Sequence, residues 1–105
     1  MYTTAGSTAP RVTQVTTAAA TPCPGTNGPA VYLIGVVNNS LQAQTATLLV
    51  YDNASAASGN VIASIGPLGI SQVITFPGPG IPLANGATAI ASAAPNGSGI
   101  SILTR

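Results

Sequence analysis

Nowhere along this chain does an apolar i, i+3, i+4 stripe persist between helix caps. From residue 30 onward, short runs rich in Val, Ile, Leu and Thr instead alternate with turn residues, roughly every 8 to 15 positions. That pattern predicts short antiparallel strands closed into a sandwich or barrel. Residues 30–37 are apolar at both parities and predict a central strand, ended by Asn38-Asn39-Ser40. In 45–51, Ala46, Leu48 and Val50 share one face, and in 60–65 Val61, Ala63 and Ile65 do. In 70–76, Ile70, Ile74 and Phe76 fall on one side, with Ser71, Val73 and Thr75 on the other. Residues 87–94 predict a weak strand, and 99–104 a closing strand with Ile100 and Ile102 inward and Ser101 outward. Pro77-Gly78-Pro79-Gly80-Ile81-Pro82 reads as a rigid corner, neither regular strand nor helix. The expected fold is all-β, a small antiparallel β-sandwich or barrel of about six to seven strands.

The first 29 residues have a different texture. They are small, polar and interrupted by Pro and Gly, with Val12 and Val15 the only large aliphatics beyond the start. Pro22, Pro24 and Pro29 bias their predecessors to extended geometry. The expected organisation is an extended arm over 1–29, with residues 11–17 able to add one strand, followed by a sandwich domain over 30–105.

Charge limits the chemistry. The chain has two Arg, Arg11 and Arg105, one acid, Asp52, and no His or Lys, so 3% of its residues are charged. A usual globular domain has about 25%. No carboxylate pair is available for acid–base work, and no His for a nucleophile relay. No cluster of side chains offers a metal its ligands, and two Arg make no nucleic-acid footprint. An enzyme is not expected, nor a cofactor, a nucleic-acid partner or a membrane span. Disorder is not expected either, because 46% of residues are hydrophobic and the net charge is +1. With one Phe, three Tyr and no Trp, burial falls to small aliphatics. A core of that kind points to help from partner subunits. Near-zero net charge also favours association.

Single features add little chemistry. Cys23, between Pro22 and Pro24, cannot form an intrachain disulfide and reads as a tolerated small residue of the arm, or else as an intermolecular disulfide or reactive thiol. The start, Met1-Tyr2-Thr3-Thr4, has no secretory pattern, and a lone free thiol suits manufacture in a cytosol. Asn38, Asn53 and Asn96 each open an Asn-x-Ser match that chance explains. Gly66-x-x-Gly69 and Gly78-x-Gly80 lack the strand, helix and Lys of a phosphate loop and read as turns. Asp52 is expected to cap a loop by accepting backbone N–H bonds. Arg11 and Arg105 are candidate intersubunit anchors, with Val12 and Val15 as their apolar neighbours.

Residues 48–65 combine a strand ending in Tyr51-Asp52, a Ser/Ala/Gly loop, and the strand Val61-Ile62-Ala63-Ser64-Ile65. Together with Leu33-Ile34-Gly35-Val36-Val37-Asn38 and a closing strand ending in Arg105, this resembles small virion proteins of tailed bacteriophages. The resemblance covers 30–105. It departs where Ile102-Leu103-Thr104-Arg105 lacks an aromatic before the Arg, and at the rigid 77–82 corner. It implies a capsid decoration, or cement, protein on the outside of the phage head. Its partners would be the major capsid protein and further copies of itself, as a homotrimer. A head-fibre or tail module is the alternative, and a bacterial surface adhesion domain a more distant one.

Overall fold

The computed structural model describes residues 10–105, and every regular element among them is a β-strand. In chain order these are β1 (Arg11–Val15), β2 (Thr21–Pro22), β3 (Pro24–Gly25), β4 (Gly28–Pro29), β5 (Tyr32–Asn38) and β6 (Leu48–Tyr51). Then come β7 (Val61–Ile65), β8 (Val73–Thr75), β9 (Ile81–Pro82), β10 (Thr88–Ala91) and β11 (Ile100–Thr104). All pairings are antiparallel. The first sheet runs β1-β11-β5-β8, with β9 also on β5, and the second runs β2-β10-β6-β7. A small hairpin joins β3 to β4. The expected all-β architecture is present, and four two-residue strands raise the count above the expected six to seven.

One core lies between the sheets. Leu33, Val36, Ile100 and Ile102 from the first sheet meet Leu48, Val50, Ala89 and Ala91 from the second. The expected faces of residues 46–50 and 100–102 hold, since Ala46, Leu48, Val50, Ile100 and Ile102 are all buried. β5 is central, with β11 on one side and β8 and β9 on the other. Its two apolar faces follow from that place in the sheet.

The segment expected as an arm is, in its described part, built into the sandwich. β1 pairs along its whole length with β11, from Arg11 opposite Thr104 to Val15 opposite Ile100. β2 pairs with β10. Val15 is 0% exposed and Cys23 1%, so both are core residues. Cys23 is thus no passenger of an exposed arm. Two apolar side chains eight positions apart suffice here, because one enters from each sheet's edge strand or the turn beside it. Residues 1–9 of the expected arm lie outside the described residues.

Three smaller expectations change for local reasons. A bulge on β7 leaves Ile62 unpaired, with Ala63 opposite Val50 and Val61 opposite Tyr51 of β6. Ile62 therefore packs on the core and Val61 is exposed. Ile70 is also exposed, because a turn at Ile70-Ser71 precedes β8 and breaks the alternation before Ile74. Ser101 points outward as expected, yet is buried beneath Gln14 and Asn39, whose amides both donate to its hydroxyl. Within the 77–82 corner, Ile81–Pro82 forms a short pairing with β5, where an edge position tolerates proline.

Gly99 allows the close crossing of β1 and β11. Its φ is +86°, and a Cβ there would lie 2.5 Å from the Val15 carbonyl oxygen.

Candidate interaction surface

Asn38 closes β5 with its side chain turned into the protein, 1% exposed. Its amide nitrogen donates to the carbonyls of Gln42 (3.0 Å) and Gly69 (2.8 Å). Its oxygen accepts from the Ser40 N–H (3.1 Å) and from Gln44 Nε2 (2.9 Å). Gln44 in turn donates to the Asn96 carbonyl and accepts from the Asn96 N–H. These amides tie three loops together at one end of the sandwich. Being buried, Asn38 is no glycosylation acceptor.

Two aliphatic side chains stand out from the loops so fixed. Leu41 is 84% exposed and Ile70 63%. The Ser71 N–H donates to the Ser40 carbonyl at 3.3 Å, which sets the two loops side by side. Ser71 has φ +51°, a left-handed conformation that is uncommon outside glycine. No charged residue belongs to these loops.

All three charged residues lie at the opposite end. Arg11 lines a depression of about 390 Å³ with Pro22, Cys23, Pro24 and Ala54. Arg105 lines a second one of about 220 Å³ with Asn27 and Val31. The two depressions share Thr26 and Pro29 of the β3–β4 hairpin, so the two Arg flank that hairpin. The Thr104 hydroxyl donates to the Pro24 carbonyl at 2.7 Å and holds the hairpin to the first sheet. Asp52 belongs to the neighbouring loop and caps a backbone turn as expected, accepting from the N–H groups of Asn85 (2.7 Å) and Ala84 (3.3 Å). Thr88 donates to the Asn53 carbonyl and steadies the same loop.

The four residues singled out as an interface thus separate. Arg11 and Arg105 come together at the charged end, on either side of the hairpin. Val12 is 58% exposed on the outer face of β1. Val15 is fully buried in the core and unavailable to another molecule, a correction that follows from β1 being a strand of the sheet. Leu41 and Ile70 were missed. The signal for Leu41 was a lone Leu in a polar loop, Asn39-Ser40-Leu41-Gln42, where nothing in the strand pattern calls for one.

A third depression of about 250 Å³ lies on the outer face of the second sheet, lined by Leu49, Tyr51 and Ile90 between Thr47 and Ser92. Among the described residues, no group of three or more His, Cys, Asp or Glu comes together.

Burial pushes the Cys23 thiol up to about 11, against opposing hydrogen bonds from the Ala89 backbone and Thr13. The folded state keeps this proton to higher pH than the unfolded chain does. The resulting stability is fully present below the ordinary value of 9.0 and is lost as pH rises to about 11. At neutral pH a thiol reagent is expected to label Cys23 only as fast as the protein opens. Immediate full labelling of the native protein would contradict the burial.

No family model, curated protein or solved structure matches the chain.

Proposed function

We propose that this protein is a structural subunit of a bacteriophage particle, a decoration protein that docks on the exterior of the head shell and stabilises it. The observation that carries the reading is the uncharged end, where Leu41 and Ile70 project from loops fixed by buried amides. Such a surface meets a partner protein with little ordering entropy left to lose and no formal charge to desolvate. Many copies on one shell turn weak single contacts into a firm coat. The partner in this reading is the major capsid protein, the subunit is made in the host cytoplasm, and it performs no catalysis.

The test is cosedimentation of the purified protein with shells that lack it. Saturable binding in hundreds of copies per shell, with a higher temperature of shell disruption, is expected. Because the contact lacks charges, raising the salt should change binding little. Leu41→Asp should weaken binding by at least about tenfold and leave the fold intact, since the side chain is exposed. No binding to any shell overturns the reading. A native copy number of a few to tens per virion would indicate a fibre or tail module instead.

A further inference from the structure

Among the described residues the sandwich has five strands with an open side, and four of them are blunted. β2 is two residues long and contains Pro22, and β9 is two residues long and ends in Pro82. β8 has three residues, and β7 carries a bulge at Ile62, opposite Val50 and Tyr51. Short length, proline and bulges are the usual means of keeping an edge from recruiting another chain. β1 has none of them. It is five residues, Arg11-Val12-Thr13-Gln14-Val15, regularly paired with β11 throughout. Lysine, the commonest edge guard, is absent from the whole chain.

Ladder parity identifies which backbone groups of β1 are unpaired by β11. The Asn38 N–H donates to Gln72, and the Ile34 carbonyl accepts from Phe76, so the even positions of β5 bond toward β8. The odd positions, Gly35 and Val37, bond toward their partners Leu103 and Ser101 on β11. That leaves Ile100, Ile102 and Thr104 to bond with Val15, Thr13 and Arg11. The N–H and C=O of Val12 and Gln14 therefore face away from the sheet. The Gln14 side chain does not cover them, because it is drawn across the sheet face toward Ser101 and Asn39.

We infer that β1 is a dimerisation edge, which pairs antiparallel with β1 of a second copy about a two-fold axis at Thr13. In that register Val12 of each copy lies opposite Gln14 of the other, and the four outward N–H and C=O groups of each strand's free side close into a ladder. The register is self-complementary, as a two-fold interface requires. It also sets Arg11 opposite Val15, so the two cations do not face each other. The two first sheets become one continuous sheet, with the exposed Val12 side chains beside the central pair. The partner this edge fits is a second copy of this chain, joined as a dimer rather than the trimer expected from the resemblance. The inference is independent of the shell-binding reading.

The test is sedimentation of the full chain over a range of concentrations, with two variants. Val12→Pro removes one outward N–H per copy and none that β11 uses, and Val12→Lys places a charge on the edge. The wild-type chain should be a dimer in reversible equilibrium with monomer. Either variant should weaken dimerisation by about tenfold or more, while keeping the wild-type circular dichroism spectrum. Should Val12→Pro fail to fold, Val12→Lys decides. A wild-type chain that stays monomeric, or an oligomer unchanged by Val12→Lys, overturns the inference. Shell binding by a monomeric Val12→Lys protein would leave the proposed function standing without the dimer.

Discussion

A chain that begins at residue 30 is expected not to fold. The deletion removes β1 and with it every backbone bond on one side of β11. It also removes β2 from the second sheet, and the core side chains Val15 and Cys23. Losing one fully buried aliphatic side chain costs about 2–5 kcal/mol, and here an edge strand of each sheet goes as well. A domain of this size has about 5–15 kcal/mol in total. The expected result is loss of the cooperative urea transition and of dispersed amide resonances. A chain that begins at Pro10 retains every described strand and is expected to keep both. If the residue-30 chain unfolds cooperatively near the full-length midpoint, the first 29 residues are an appendage after all, and the packing of Val15 and Cys23 is wrong.

Asn38→Ala is expected to be the most damaging single polar substitution. It takes the acceptor of the buried Ser40 N–H and one of the two acceptors of the Gln44 amide nitrogen, and it removes a donor from each of the Gln42 and Gly69 carbonyls. Each buried group left without a partner costs about 1–3 kcal/mol, and the terms do not add fully. We expect a loss of about 3–5 kcal/mol by urea unfolding. Asn38→Leu should do no better, because it supplies volume but no acceptor for the Ser40 N–H. A loss below about 1 kcal/mol would show that water replaces these bonds at no cost.

Much of the fold was legible because strand patterning speaks directly to burial. Ala46, Leu48 and Val50, like Ile100 and Ile102, alternate as a half-buried strand must, and they are buried. Misreadings arose where backbone geometry breaks that alternation. The bulge at Ile62 shifts the parity by one residue, and nothing in Asn60-Val61-Ile62 announces it. Residues 11–17 read as a possible strand, but the place of β1 in the core was masked by its composition, since Thr, Gln and Arg occupy three of its five positions. Only pairing with β11, far along the chain, makes Val15 a core residue. The surface was harder to read. With charge nearly absent, polar and apolar faces look alike, so neither the exposure of Leu41 nor the inward turn of Asn38 follows from residue type. The two Arg meet at one end only because β1 and β11 are antiparallel neighbours.

The place of β11 between β1 and β5 bears on how the protein is made. Gln14 and Ser101, which touch in the finished sheet, are 87 positions apart. As the chain leaves the ribosome, β1 and β5 emerge early, each with a bare side. The strand that belongs between them is among the last to arrive. Neither can settle by pairing with its sequence neighbour, so folding waits for long-range closure and should take milliseconds to seconds. Crowded synthesis of many copies is therefore the moment at which this protein is most exposed to mispairing with its own nascent neighbours.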